Sequence, residues 1–209
     1  MEIKQIHKIG LCGLPIRVYE TDFLLSEAKI NKIKKEAKQD TRFKERGAHL
    51  TKNQNILKYD YLSELADTID TVAMIYRDDT LGISNKIKMT HSWGAYQQEG
   101  QEHHGHRHQN VLFSVVYYAK VKAGNLRFSV DKSILEEQFY FDYSITKYNE
   151  YNSTSWTVPQ QAGNIAVFPG FIMHGTTPNI GGGERIAVGA NYFVTGMLGN
   201  EAYTQHEII

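Results

Sequence analysis

Four histidines stand at positions 103, 104, 106 and 108 of a 209-residue chain that holds 9 in all. Imidazole is neutral near pH 7 and is the commonest side-chain metal ligand. In an extended chain, residues i and i+2 share a face. His104, His106 and His108 would therefore project together, directly before the apolar run VLFSVVYY, and a pair at that spacing can take adjacent positions on one ion. A solvated histidine-rich loop would carry the same letters, so the run needs a second feature beside it. Residues 163–191 supply one, reading GNIAVFPGFIMHGTTPNIGGGERIAVGAN. His174 stands in a run of apolar residues, and Arg185 opens the next apolar strand. Alone, such a histidine is a hydrogen-bonded core residue and such an arginine an ion-pair partner. Together with the His-x-His run they make a different pattern: two ligands from one segment, a third from a distant strand, and a cation one hairpin further on for an anionic co-substrate.

The elements that must position these residues follow from the hydrophobic periods. Residues 1–20 read as one or two short strands punctuated by Gly13 and Pro15. Leu24, Leu25, Ile30, Ile33 and Ala37 recur at helical spacing, with Ser26 as an N-cap. Lys38 to Asn55 reads as irregular loop. A second helical pattern runs through Leu62, Leu65, Ala66, Ile69, Val72, Ala73 and Tyr76 and ends near Asp78 and Asp79. After Gly82 come short runs rich in β-branched and aromatic residues: IKMTHSW, VLFSVVYYAKV, LRFSV, QFYFDYSI, SWTV, NIAVF and RIAVGANYFV. Turn residues separate them, which is the pattern of a sandwich or barrel. The expected fold is mainly β with N-terminal helices, in one domain spanning 1–209. Residues 1–80 would pack on a β core at 83–197.

Composition narrows the function classes. Lys+Arg and Asp+Glu balance at 23 each, so the basic excess typical of nucleic-acid binding is missing. Cys12 is the one cysteine, which excludes an internal disulfide or a multi-cysteine zinc site. The longest apolar stretch, Ile165 to Met173, is broken by Pro169 and Gly170 and is far short of the ~20 residues a membrane helix needs. The N-terminus shows no apolar signal region. These features together read as a cytoplasmic protein with no membrane partner.

The runs HGHRHQNVLFSVVYY, AGNIAVFPGFIMHGTTPN and ERIAVGANYF resemble the non-haem Fe(II)/2-oxoglutarate-dependent oxygenases, most closely a family seen in bacteria and in phages. LPIRVYE and HLTKNQNIL are also similar, so the resemblance covers most of the chain. It implies a double-stranded β-helix, or jelly-roll, presenting a His-x-Asp/Glu…His facial triad with open positions for co-substrate and O2. Carried onto this sequence, His106 and His108 fall on the His-x-acid positions and His174 on the distal histidine. Arg185 falls on the arginine that pairs with the far carboxylate of 2-oxoglutarate. Tyr96, ten residues before His106, and Tyr118 fall on tyrosines that help bind the co-substrate; an ordinary strand aromatic is an equal reading of Tyr118. The implied reaction consumes 2-oxoglutarate and O2, releases succinate and CO2, and hydroxylates a prime substrate, with ascorbate as a supporting reductant. A small molecule or peptide fits the neutral chain better than a nucleic acid.

The departure from the family pattern is His108 in the place of the acid. Glu102 is the nearest carboxylate and could reach the metal if the chain register shifts; His104 could also join or replace a ligand. Two other readings stand beside the oxygenase. A cupin-type metal protein would carry a Glu four or five residues after His-x-His, where this chain has Leu112 and Phe113. A non-enzymatic jelly-roll would leave the histidine pattern as coincidence. Trp93 and Trp156 read as core or rim aromatics, Asp142 as a surface carboxylate and Cys12 as a small buried residue. The tyrosines of 140–151 could line a substrate mouth. Metal affinity should fall as pH drops below the reference histidine pKa near ~6.5.

Overall fold

A residue-by-residue alternation of apolar contacts decides which side each strand shows, and two different partners cover the two sides. The computed structural model describes residues 2–11, 14–40, 47–130, 144–149, 152–199 and 204–208. Cys12, Asp142 and three of the four tyrosines of the run 140–151 lie outside these residues.

The chain runs β1 (Ile3–Leu11), β2 (Leu14–Thr21), α1 (Glu27–Gln39), β3 (His49–Leu50), α2 (Ser63–Ile75) and β4 (Lys86–Gln97). It continues through β5 (Phe113–Lys120), β6 (Leu126–Ser129), β7 (Ser155–Val158), β8 (Asn164–Pro169), β9 (Met173–Thr176), β10 (Arg185–Leu198) and β11 (His206–Ile208). The large sheet has the order β1-β2-β8-β5-β10-β4-β3, with β11 on β10, and the small sheet the order β7-β6-β9. All pairings between these strands are antiparallel. This is the jelly-roll expected from the sequence, with the helices outside the large sheet.

Ser26 caps α1, its hydroxyl accepting from the Lys29 N–H at 3.4 Å. Ile30, Ile33 and Ala37 form the buried stripe of α1, and Leu65, Ile69, Val72 and Ala73 that of α2. They meet Tyr96 of β4, Phe113, Val115 and Tyr117 of β5, and Ile186, Val188, Ala190 and Tyr192 of β10 in one core cluster. The intervening residues face the small sheet. There, Ile16, Val18, Tyr118, Ala166, Phe168 and Ala187 pack with Leu126, Phe128 and Val158 in a second cluster. Odd and even positions of the same strands thus belong to different cores.

Two local expectations change. The loop between the helices contains the short strand β3, which pairs His49 with Tyr96. The histidine run is not a strand; within it only His106 makes a bridge, to His174. Of the run QFYFDYSI only the end falls among the described residues, and no strand is seen there.

Gly94 marks where α1 touches the sheet. A Cβ there would lie 2.4 Å from Cγ2 of Ile33 and 3.1 Å from Cγ2 of Thr51. Ile33 is β-branched and held in a helix, so it has little rotamer freedom to yield. Gly94→Ala is expected to cost about 1–3 kcal/mol of stability, the usual penalty for overpacking. The urea midpoint of the variant measures it; an unchanged midpoint would mean that α1 is not seated at this depth.

Candidate active site

The histidine run and β9 are joined at the backbone. The His106 N–H donates to the His174 carbonyl at 2.9 Å, and the His174 N–H donates back to His106 at 3.0 Å. His108 is tied to Gly170, its N–H donating to that carbonyl at 2.8 Å. One ring nitrogen from each of His106, His108 and His174 lies within 4.8 Å of the other two. The ring centroids are 4.3 Å apart for His106 and His174, 4.9 Å for His108 and His174, and 5.1 Å for His106 and His108.

The other nitrogen of each ring meets an acceptor. Nδ1 of His106 lies 3.0 Å from the His104 carbonyl, and Nδ1 of His174 lies 3.0 Å from the Ile172 carbonyl. Nδ1 of His108 lies 2.8 Å from Oδ1 of Asn191 and 2.7 Å from Oγ of Ser114, which itself donates to Asn191. A carbonyl can only accept, so Nδ1 carries the proton in each ring and Nε2 keeps its lone pair. Nε2 of His106 and Nε2 of His108 are nevertheless 3.1 Å apart. Two lone pairs at that distance repel unless a cation lies between the rings. The donor set suits Fe, and equally Zn, Cu or Ni.

Burial keeps these rings neutral. It pushes His108 down to about 4 and lowers His106 and His174 as well, with the neighbouring imidazoles adding to the effect. Neutral rings are ready to bind metal at pH 7.

Beside the three rings is a cavity of about 50 Å³, also lined by Trp93, Gln97, His103, Tyr118, Thr176 and Arg185. On the scale where a water needs ~10–15 Å³ it takes roughly four waters, the bulk of a short dicarboxylate. Arg185 is 2% exposed, and its Nη1 has no hydrogen-bond partner. The Tyr118 hydroxyl is also buried, with no acceptor for its O–H, in a ring whose centroid is 5.4 Å from the guanidinium. Burial pushes that phenol up to about 12, so it stays a donor. Burial also lowers the Arg185 pKa, opposed by Tyr118, yet a guanidinium remains charged. An unpaired buried cation and an unpaired donor on one wall are complementary to a carboxylate. Trp93 also lines the cavity, edge-on to His108 with centroids 5.5 Å apart.

The structure thus brings together His106, His108, His174, Arg185 and Tyr118. It does not bring Tyr96. On β4 the cavity residues are Trp93, Ala95 and Gln97, and Tyr96 has the opposite parity. Its hydroxyl donates to Glu184 at 3.2 Å, and Lys34 and Lys38 lie over its ring. Glu184 is also paired with Lys34, so its carboxylate is engaged on the helix side, away from Arg185. Glu102 is exposed, its main chain packed against Gly47, and it belongs to neither histidine cluster. His104 stands with His103 and His106 in a second group of ring nitrogens within 4.8 Å. Sequence reasoning missed Asn191 and Ser114, although the signal was present. Both are polar residues on apolar strands, sharing parity with Arg185 and Tyr118 respectively.

A jelly-roll with convergent imidazoles and a buried unpaired arginine defines the class of metal-dependent enzymes that bind a carboxylate co-substrate. Residues 91–191 match the family described as "Putative 2OG-Fe(II) oxygenase". This core belongs to that family, and the protein is an Fe(II)/2-oxoglutarate-dependent oxygenase, an oxidoreductase using Fe(II), 2-oxoglutarate and O2. No curated protein sequence matches the chain. Solved structures share the fold. HygX from Streptomyces hygroscopicus, with nickel, 2-oxoglutarate and hygromycin B bound, has a TM-score of 0.55 at 11% identity, over 86% of this chain and 83% of that one. A Pseudomonas putida prolyl-4-hydroxylase has a TM-score of 0.54 at 14% identity, over 81% and 84%. A Trichoplax adhaerens prolyl hydroxylase, in complex with a hypoxia inducible factor peptide fragment, has a TM-score of 0.52 at 11% identity, over 86% and 83%.

Asn191 fixes the tautomer and direction of His108. Asn191→Ala is expected to weaken metal binding about 10–100-fold, as loss of such a supporting contact typically does. Calorimetric Mn(II) titration reads it.

The half-buried rings of His103 and His108 also set a pH dependence of folding. His103 is pushed down to about 3 and His108 to about 4, mainly by burial, whereas an unfolded chain protonates its histidines near ~6.5. Between those values the unfolded state holds more protons. The stability these rings contribute is therefore complete above about 6.5 and is lost as pH falls toward about 4. Denaturant midpoints of chelator-treated protein should fall steeply across that window, and His108→Asn should flatten the slope. Identical slopes would place His108 in solvent.

Proposed function

We propose that His106, His108 and His174 hold Fe(II), and that Arg185 with Tyr118 holds the far carboxylate of 2-oxoglutarate. The observation that carries this reading is the meeting, in one cavity, of lone-pair imidazole nitrogens with a buried guanidinium that has an unsatisfied N–H. The chemistry Fe(II) supplies when bound is the coupling of 2-oxoglutarate decarboxylation, to succinate and CO2, with hydroxylation of a prime substrate by O2.

The chain's own residues do the rest. Arg185 offers a planar fork to a carboxylate and Tyr118 a third donor. Val116, Leu126 and Ala187 line the same cavity; being apolar, they exclude water and strengthen those contacts. Three neutral imidazoles in place of two and a carboxylate leave the dication and the dianionic co-substrate at net zero charge, so the dianion meets no ligand repulsion. Ascorbate would serve as supporting reductant. The complexes of HygX with hygromycin B and of the Trichoplax enzyme with a peptide fragment support a small molecule or peptide as prime substrate. No described helix is long and apolar enough to cross a membrane.

Arg185→Ala is expected to weaken 2-oxoglutarate binding at least tenfold, since truncating one partner of such a pair costs about 2–5 kcal/mol. Mn(II) affinity should stay the same, and Arg185→Lys should recover part of the loss. Calorimetry with Mn(II) in place of Fe(II) measures both without turnover. Succinate formation from 2-oxoglutarate with Fe(II) and ascorbate, with and without substrate pools, tests the reaction itself. Unchanged 2-oxoglutarate affinity in Arg185→Ala would remove the assigned role of the arginine.

A further inference from the structure

The co-substrate reading above leaves an imidazole without a task. His103 lines the same cavity as Arg185 and the three clustered histidines, and its ring centroid is 4.6 Å from that of His106. Building on that reading, we propose that His103 is a co-substrate-binding residue, donating a ring N–H to the carboxylate of 2-oxoglutarate nearest the metal while Arg185 holds the far one.

Three observations carry this. The first is placement. Arg185, Tyr118, His103 and the three clustered histidines all line one cavity. His103 is near enough to feel both the charge of Arg185 and the rings of His106 and His108. A dicarboxylate held in this cavity would therefore have the His103 ring in its wall.

The second is how firmly the backbone is fixed. The His103 N–H donates to Oγ1 of Thr176 at 2.8 Å, and the Thr176 N–H donates to the His103 carbonyl at 3.0 Å. Oγ1 of Thr176 also accepts from Nε2 of Gln97 at 3.2 Å. Gly175 permits this approach, because a Cβ there would lie 2.7 Å from the His103 carbonyl oxygen. His103 is thereby held on β9, two residues from His174.

The third is chemical. A neutral imidazole has one N–H to give and adds no charge, so it can hydrogen-bond a carboxylate without competing with the metal for it. Tyr96, which the family resemblance casts as a donor to the co-substrate, lies on the helix side of the sheet. His103 offers the cavity a donor beside the clustered histidines.

The test is calorimetry on the full chain with Mn(II), measuring Mn(II) affinity and then 2-oxoglutarate affinity for wild type, His103→Ala, His103→Gln and Arg185→Ala. His103→Ala should bind Mn(II) within twofold of wild type and 2-oxoglutarate about tenfold or more weakly, the scale of a lost hydrogen bond to a charged group. His103→Gln, whose amide keeps a donor, should recover most of the loss. If His103→Ala loses Mn(II) affinity instead, His103 is a fourth metal ligand and the proposal is overturned. If both affinities are unchanged, the ring only packs, which overturns it as well. Arg185→Ala keeps the two readings apart. A loss there with none in His103→Ala sinks the His103 role and leaves the co-substrate site standing. A wild-type protein that binds Mn(II) but not 2-oxoglutarate sinks the site itself.

Discussion

The reciprocal backbone hydrogen bonds between His106 and His174 are the constraint on which the site depends. They join a stretch that is otherwise irregular to the edge of the small sheet. The spacing of two imidazoles is thereby set by main-chain geometry, which no side-chain substitution can easily relax. His108 is added by its own main-chain bond to Gly170, and each Nδ1 is then turned toward an acceptor. The three ring nitrogens are therefore held within 4.8 Å of one another, and the 3.1 Å approach of the facing Nε2 atoms of His106 and His108 suits a shared cation.

The second organising fact is the period of two along β4, β5 and β10. Each strand gives alternate residues to the helix-side core and to the cavity. The helix side takes the bulky apolar residues, and the cavity side can then hold polar ones. Arg185, Gly189 and Asn191 share one face of β10, as Ser114, Val116 and Tyr118 share one face of β5. A single step in register exchanges site for core, and Tyr96 and Glu184 fall on the helix side for this reason. The pair they form with Lys34 ties α1 to the rim of the large sheet.

Much of this was legible in the sequence. The His-x-His run, His174 and Arg185 stand out because their types are unusual in apolar surroundings, and the strands and both helices follow from periodicity. The spacing of Tyr96 to His106 along the chain carries no information on parity, and parity on β4 puts Tyr96 on the helix side. The neighbouring Trp93 and Gln97 settle the parity only once the strand is paired with β10. Asn191 and Ser114 were readable by the same parity rule, but their partnership with His108 is a contact across strands that no local pattern encodes. The role of Thr176 in seating His103 is of the same kind. The short β3 was missed because a two-residue pairing leaves no periodic signal.

Trp93 has a consequence of a different sort. The chain has two tryptophans; one stands edge-on to His108 in the cavity wall, and the other, Trp156, lies on β7 of the small sheet. An indole in van der Waals range of a coordinating imidazole is sensitive to the electronic state of whatever that imidazole binds. On the metal site proposed above, the fold sets a chromophore beside the metal, and the emission of the native protein would double as an optical record of what the site holds.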